Sequence, residues 1–190
     1  GFQITAHAVG DLAGTMIVNA VEKALKAYPR EGHRHRIEHC GLTNPDLIAR
    51  IARLGMVPVS NPAFITINGT DYNRYYGERV QGMFPLKSYL EAGVTTAIGS
   101  DAPITYPDPM NSLYGALNRK DRKTGDLTGE NQRVTVLDVV RMFTYNGAYA
   151  SFEEGIKGSL EPGKLADVVI LDQDLLTYPV EQVQDVAVRY

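Results

Sequence analysis

The sequence predicts an α/β fold in which four consecutive βα units form half of a (β/α)8 TIM-type barrel. Short apolar runs alternate with segments of helical periodicity, which indicates parallel strands joined by helices. Each run ends in a polar residue before the next helix begins. A complete barrel of this type needs about 250 residues, whereas this chain has 190 residues. An open doubly wound sheet is the alternative that the pattern leaves open.

The first βα unit is predicted at the start of the chain. Residues 2–7, FQITAH, favour a strand. The spacing of apolar residues then predicts a helix over about residues 12–28. Met16, Ala20 and Leu25 would form its apolar face.

The second and third strands are predicted at residues 35–40 and 56–62. The helix between them has clear start and stop signals. Thr43 or Asn44 can cap its first turn, and Gly55 can end it. A helix between two strands of one sheet makes those strands parallel.

The fourth strand, TTAIGSD, is expected at residues 95–101, after a short helix. Residues 63–84 favour a long loop because they are rich in Asn, Gly and Tyr. Residues 135–151 favour a helix, with Thr135 and Asp138 at the spacing of a capping box.

The end of the chain lacks helical periodicity. Residues 166–172, ADVVILD, follow a Pro-Gly turn and favour a strand with no helix after it. Residues 183–190, VQDVAVRY, are another strand candidate. We therefore expect a small β tail behind the four βα units.

Composition argues against two classes of partner. The formal net charge is −3 and no basic run occurs, whereas nucleic-acid binding needs clustered Lys and Arg. No run approaches the roughly 18 apolar residues that a membrane-spanning helix needs. The single cysteine, Cys40, cannot form an internal disulfide and fits a reducing, cytoplasmic compartment.

Polar residues at the strand ends are the candidate site. His7, His39, Asn61 and Asp101 end the four predicted strands, and functional residues of parallel α/β folds gather at that edge. Imidazole nitrogens suit a divalent metal such as zinc. A carboxylate beside them can bind the metal or take a proton from water. In the alternative interpretation, the histidines are structural and the aspartate caps a helix or a turn.

Three other groups of residues are given a structural role or left open. His33 and His35 lie in EGHRHR and are expected to be solvated. Cys40 should point into the helix layer because side chains alternate along a strand. Tyr72, Tyr75 and Tyr76 either cover a substrate or pack within the predicted loop, and both interpretations stay open.

Four motifs in order resemble the amidohydrolase superfamily. They are AHAVGD at residues 6–11, RIEHC at 36–40, AIGSDAP at 97–103 and GSLEPGKLADVVILD at 158–172. The resemblance is to the amidohydrolase-3 branch of metal-dependent hydrolases, and it extends from residue 2 to the end of the chain.

The resemblance implies a fold and a set of roles. The four units match strands five to eight of the barrel, so residues 1–153 would be its carboxyl-terminal half and residues 154–190 part of a small β-sandwich domain. His7 and His39 match metal ligands, and Asp101 matches the aspartate that binds metal and moves the proton of the hydrolytic water. The implied activity is hydrolysis of carbon–nitrogen bonds in small, non-peptide substrates of amide or N-acyl type, with one or two divalent ions, most often zinc.

The sequence departs from the family in one respect that limits these expectations. The family's early His-x-His pair and its bridging lysine have no counterpart in this sequence. We therefore expect weak or absent metal binding and little activity in the isolated chain. A second hypothesis is an inactive amidohydrolase-like fragment with a structural or assembly role.

The open edges of a half barrel predict a partner. Two unpaired edge strands are a liability for a free chain. Association with a second copy, or pairing with the missing amino-terminal half, would cover them. Asn61 and the loops that follow the strands would bind the substrate.

Overall fold

The computed structural model describes all 190 residues and contains a four-stranded parallel sheet. The strands are β1 (Thr5–Ala8), β2 (Arg36–His39), β3 (Val57–Ser60) and β4 (Ala97–Ile98). They lie in the order β1-β2-β3-β4, which is the order of consecutive units around a barrel. A doubly wound sheet would reverse direction at a switch point. The predicted half-barrel α/β class is therefore confirmed.

Seven α-helices accompany the sheet. They are α1 (Asp11–Ala27), α2 (Pro45–Leu54), α3 (Ala63–Tyr76), α4 (Leu86–Glu91), α5 (Pro109–Asn118), α6 (Val136–Phe143) and α7 (Tyr145–Tyr149). Short 3-10 helices cover Gly77–Gly82, Glu130–Gln132 and Val180–Asp185. None of the helices is both long and apolar enough to cross a membrane.

One core cluster joins the first two strands to the helices α1 and α2. Its buried members are Ala8, Val18, Val21, Ile37, Cys40, Leu47, Ile48, Ile51, Met56, Tyr89 and Val94. Burial of each large apolar side chain contributes about 1.5–3 kcal/mol, so this cluster fixes the helix layer on the sheet. Cys40 points into that layer as predicted, and burial raises the pKa of its thiol to about 11.

The predicted apolar face of α1 is wrong. Met16 and Ala20 are exposed and Leu25 is only half-buried, whereas Gly14, Val18 and Val21 face the core. The helix has apolar residues on several sides, so periodicity alone did not distinguish its faces. Gly14 decides the contact side, because a Cβ there would lie 3.1 Å from Leu47 Cδ2.

The helix termini follow the predicted signals. The Asn44 side chain accepts a 2.9 Å hydrogen bond from Leu47 N and caps α2, and Gly55 ends that helix in the left-handed conformation. Thr135 and Asp138 form the predicted capping box of α6. The helix predicted over 135–151 is divided at Thr144, however, into α6 and α7.

The loop predicted over residues 63–84 is also wrong, because most of it is the helix α3 followed by a 3-10 helix. Its small residues serve close packing rather than turns. A Cβ at Gly69 would lie 2.9 Å from Thr128 Oγ1, and one at Gly115 on α5 would lie 2.1 Å from the carbonyl oxygen of Pro62. Gly69 thus lets the segment that carries Thr128 approach α3, and Gly115 lets α5 approach the start of α3.

The two strands predicted for the tail reduce to one isolated antiparallel bridge between Leu171 and Val188. A two-stranded contact is marginal without further strands. Val168, Val169 and Ile170 are exposed in consequence. The division into a half barrel over 1–153 and a sandwich segment over 154–190 stays a prediction.

Residues 145–154 pass beneath the amino ends of the strands, and we call them the amino-edge plug. Asn146 Nδ2 donates to the carbonyl of Thr96 at 2.9 Å, ahead of β4. Gln3 Nε2 donates to the carbonyl of Ala150 at 2.9 Å, ahead of β1. Hydrogen bonds between side chains and main-chain carbonyls thus close this edge of the sheet.

Arg34 is the principal ion-pair partner of the plug. Its two terminal nitrogens lie 2.9 and 2.6 Å from the carboxylate oxygens of Glu154, and its guanidinium lies 3.7 Å from the ring centroid of Tyr149. The hydrogen bond from Arg34 lowers the pKa of the Glu154 carboxyl. This bidentate pair fixes the end of the plug below β2.

Candidate functional site

The carboxyl edge of the sheet brings His7 and His39 together. Their ring centroids are 4.5 Å apart and the rings meet edge to face. His7 is exposed on β1, and His39 is buried at the end of β2. No hydrogen bond of the chain engages either ring, and neither ring is among the buried polar groups that lack a partner. Their nitrogens are therefore accessible to a ligand.

The backbone at His39 makes this meeting possible. In the sheet register His7 pairs with Glu38, and His39 pairs with Ala8, so regular alternation would put the two imidazoles on opposite faces. His39 has a φ of 68°, in the left-handed region. This conformation breaks the alternation at the strand end and turns the ring toward His7.

Left-handed residues cluster at this edge. His39, Cys40 and Asp101 have φ values of 68°, 43° and 60°. A non-glycine residue held there costs about 1–3 kcal/mol and is typical of functional sites. Two of the three predicted metal ligands are thus held in conformations that the surrounding structure must maintain.

Asp101 follows β4 at the same edge, but it does not join the two histidines in one cluster. No group of three or more His, Cys, Asp or Glu side chains lies close enough to hold a metal ion. The helix-cap alternative for Asp101 fails, because Asp108 is the residue that caps α5, accepting from Met110 N at 2.9 Å. The Asp101 carboxylate therefore has no helix-capping role.

Asn61 lies buried between the ends of β3 and β4. Its Nδ2 donates to the carbonyl of Gly99 at 2.8 Å, two residues before Asp101. Its Oδ1 is buried without a partner. The amide thus ties the Asp101 loop to β3, and its role in substrate binding stays a prediction.

Two aromatic residues that sequence analysis did not select lie beside the histidines. The Phe64 ring centroid is 6.2 Å from that of His39, and Phe64 stacks on Phe84 at 6.2 Å with an interplanar angle of 10°. Phe84 has a φ of 42°, which no sequence pattern indicated. The position of Phe64, at the second residue of α3, would have been a signal had that helix been recognised.

The tyrosines of α3 divide between the two interpretations. Tyr72 packs against Tyr76 and Phe84, with centroid distances of 6.0 and 6.4 Å, and burial raises the pKa of Tyr72. Tyr75 is exposed. Packing accounts for Tyr72 and Tyr76, and Tyr75 alone is free to face a bound molecule.

The expectation that His33 and His35 are solvated is wrong. Both are buried at the start of β2. His33 Nε2 lies 2.7 Å from the carbonyl of Leu54, and its Nδ1 accepts from His35 N at 2.9 Å. His35 Nδ1 accepts from Ile4 N at 3.1 Å. The N–H groups of Ile4 and His35 need hydrogen-bond acceptors, and the imidazoles provide them. The neighbouring arginines made the segment look solvated in the sequence.

The donor set at the carboxyl edge fits part of a divalent-metal site. Two imidazoles with accessible nitrogens are typical ligands of zinc. A catalytic zinc site takes three protein ligands and an open position, and this chain brings two together. His7 and His39 would hold one side of the ion, and other donors would complete its coordination.

A barrel-type parallel sheet with its candidate site at the carboxyl edge is the architecture of many α/β enzymes. The family model described as "Amidohydrolase family" matches residues 1–190. The chain therefore belongs to the amidohydrolase family, which confirms the resemblance found in its motifs.

Individual relatives agree with this assignment. The chain is 29% identical over 180 residues to the putative amidohydrolase YtcJ of Bacillus subtilis, covering 92% of this chain and 33% of that protein. It is 30% identical over 176 residues to an N-substituted formamide deformylase of Arthrobacter pascens, covering 92% and 32%. The crystal structure of an uncharacterized metal-dependent hydrolase from Pyrococcus horikoshii matches with a TM-score of 0.78 and 27% identity, covering 94% of this chain and 35% of that one. The chain thus spans about a third of the length of these relatives.

Proposed function

We propose that this chain is the part of a metal-dependent hydrolase that carries His7, His39 and Asp101. The observation that carries the proposal is the contact between the two imidazoles at the carboxyl edge, 4.5 Å between centroids. That contact depends on a strained φ at His39. Non-glycine residues held in this region are typical of functional sites.

The proposed reaction is hydrolysis of a carbon–nitrogen bond of amide or N-acyl type in a small molecule. Support comes from the family and from the Arthrobacter relative, whose name describes removal of a formyl group from a substituted nitrogen. A divalent ion, with zinc favoured by the histidine ligands, would lower the pKa of water to about 7 and polarise the carbonyl. His7 and His39 would bind that ion.

Asp101 has the proposed role of proton carrier. Its carboxylate would take the proton from the attacking water and return it to the leaving nitrogen. Asn61 supports this role from β3, because its amide holds Gly99 and so positions the loop that presents Asp101.

The active form is proposed to need more protein than this chain provides. Two ligands do not complete a catalytic zinc site, and β1 is an unpaired edge of the sheet. A second copy, or an amino-terminal half in a longer protein, would supply the missing ligands and cover the edge. We place the protein in the cytoplasm on the strength of its single, buried cysteine.

The test is hydrolysis of N-substituted formamides by a version extended to the length of the relatives, with zinc or manganese added. Asp101→Asn should lower kcat by several orders of magnitude, because it removes the proton carrier. Asp108→Asn is the matched control, since that residue caps α5 and asparagine is also a good cap. Equal rates for the parent and the Asp101 variant would refute the catalytic proposal and leave the structural role.

A further inference from the structure

Arg119 is the largest fully buried side chain of the molecule, and its guanidinium has no carboxylate partner. It donates instead to three main-chain carbonyls. Nε lies 3.0 Å from Thr128 O, Nη1 lies 3.1 Å from Phe84 O and Nη2 lies 2.6 Å from Met83 O. A buried cation without a counter-charge is costly, so its retention at this position calls for a local explanation.

The turn held by Arg119 continues toward the histidines through the main chain. The N–H of Phe84 donates to the carbonyl of Gly41 at 2.5 Å. Gly41 follows the left-handed residues His39 and Cys40 directly. Arg119 is therefore connected to the segment after His39 through one turn. It bonds the carbonyls of Met83 and Phe84, and the N–H of Phe84 bonds Gly41.

A second route runs through aromatic rings. Phe84 stacks on Phe64, and Phe64 contacts His39 edge to face. Arg119 bonds the carbonyls on both sides of the Phe84 Cα, which fixes the backbone from which the Phe84 ring projects into this stack. The ring of His39 thus contacts a stack that begins at Phe84, the residue whose backbone Arg119 bonds.

Close packing joins the same turn to the end of β1. A Cβ on Gly41 would lie 3.1 Å from the carbonyl oxygen of Val9 and 3.4 Å from Phe84 Cε1. The N–H of Leu42 donates to that same Val9 carbonyl at 2.7 Å. Residues 41–42 are therefore held between Phe84 and the segment that follows His7.

We propose that Arg119 is a positioning residue for His39, acting through the Met83–Phe84 turn, Gly41 and Phe64. The inference deepens the proposed function, because it assumes that His39 is a ligand at the carboxyl edge. Arg119 itself touches neither histidine. It maintains the left-handed conformation that brings the His39 ring to His7.

The four histidines make the test specific. His7 and His39 lie at one edge of the sheet, and His33 and His35 lie at the other. Imidazole proton resonances and the cross-relaxation peak between the His7 and His39 rings are recorded at neutral pH for the parent chain and Arg119→Met. The expected result is a shifted His39 resonance and loss of the His7–His39 peak, with His33 and His35 unchanged. Equal changes in all four histidines, or none in His39, would overturn the proposal.

Arg133→Met is the matched control. Arg133 also donates to a main-chain carbonyl, that of Asn118, at 3.3 and 3.1 Å. It makes no hydrogen bond to the Met83–Phe84 turn. Its replacement should leave the His39 signals as they are, and a His39 shift of the same size as in Arg119→Met would count against the proposal.

Two further variants keep the test valid if Arg119→Met does not fold. Arg119→Lys keeps the charge, but its single amino group cannot bond all three carbonyls. The His39 resonance should therefore shift in the same direction as in Arg119→Met, by a smaller amount. Gly41→Ala changes the residue that accepts the Phe84 hydrogen bond, and it should shift the His39 resonance while leaving those of His33 and His35 unchanged. His39 signals that stay at their parent positions in both variants would refute the proposal. Absence of hydrolysis in the extended protein would refute the proposed function and leave this result unaffected.

Discussion

The two edges of the sheet each carry a pair of histidines, and the pairs are held in opposite ways. The His33 and His35 rings lie 4.3 Å apart at the amino edge, and the His7 and His39 rings lie 4.5 Å apart at the carboxyl edge. Main-chain groups bond both nitrogens of His33 and one of His35. The rings at the carboxyl edge have no such partners. Histidines whose nitrogens are engaged stabilise the fold, and histidines whose nitrogens are free are available for binding.

The difference extends to the surroundings of each pair. The amino edge is closed by the amino-edge plug and its Arg34–Glu154 ion pair. The carboxyl edge carries left-handed residues at His39 and Asp101, and these cost stability. Left-handed residues also occur at the amino edge, at Arg34 and Phe152, so the two edges differ in their closing contacts rather than in backbone strain.

The largest stability effect is expected at the amino-edge plug. Arg34→Met removes a bidentate ion pair and leaves Glu154 without its partner. Both side chains are largely buried, with 17% and 23% exposed, so the loss should be about 2 kcal/mol, below that of a fully buried pair. Urea unfolding followed by circular dichroism measures it.

Arg53→Met is the control for that measurement. Arg53 pairs with Glu22, but its side chain is 62% exposed, and such pairs contribute about 0.5 kcal/mol or less. If the Arg34 and Arg53 variants lose the same stability, the plug does not anchor the amino edge.

Exchanging histidines for alanine tests the comparison directly. His33→Ala removes a buried ring and its main-chain hydrogen bonds, so the free energy of unfolding should fall by about 2 kcal/mol. His7→Ala removes an exposed ring and should change it by less than about 0.5 kcal/mol. Zinc binding, measured by calorimetry on the extended protein, should weaken strongly in the His7 variant and change little in the His33 variant. A larger stability loss in the His7 variant would contradict the assignment of the two edges.

A smaller effect is expected from a helix cap remote from both pairs. Thr135→Ala breaks the capping box at the start of α6 and should cost about 1 kcal/mol. The histidine resonances should stay in place. A shift of His39 in this variant would show that the carboxyl-edge pair responds to any loss of stability.

The smallest effect is a dependence of stability on pH. Burial lowers the pKa of His35 from its ordinary 6.5, and His33 and Arg30 lower it further. The folded chain then binds a proton less readily than the unfolded chain. The contribution of neutral His35 is complete above pH 6.5 and is lost as the pH falls below it.

Urea midpoints at about pH 7.5 and about pH 5.5 measure this dependence. His35→Asn keeps an acceptor for the N–H of Ile4 and does not titrate, so its midpoints should differ less than those of the parent. A parent chain that becomes more stable on acidification would contradict the assigned neutral state.

Sequence patterns predicted the four strands of the sheet and the end signals of α2 and α6, because these depend on local chemistry. Asn44, Gly55 and the Thr135 capping box each act within one helical turn. His7, His39 and Asp101 were selected by position alone, since a strand end is recognisable from its apolar run. What position could not predict is the left-handed φ of His39, or that the Phe64 ring lies against its imidazole.

The errors have a common physical origin in contacts between distant segments. Gly69 looked like a loop residue, but it is the point where the 121–128 segment approaches α3. His33 looked solvated, but the carbonyl of Leu54 at the end of α2 lies against its ring. Residues 166–172 have strand composition, and strands need partners that local sequence does not provide.

The course of the amino-edge plug has a consequence for folding during synthesis. Gln3 and Arg34 bond residues that lie 147 and 115 to 120 positions further along the chain. Contacts of such long separation form late, because loop closure must precede them. The amino-edge plug therefore cannot cover the amino ends of the strands until the ribosome has synthesised residue 154. Until then the nascent strands retain an uncovered end, where a chaperone has the longest opportunity to bind.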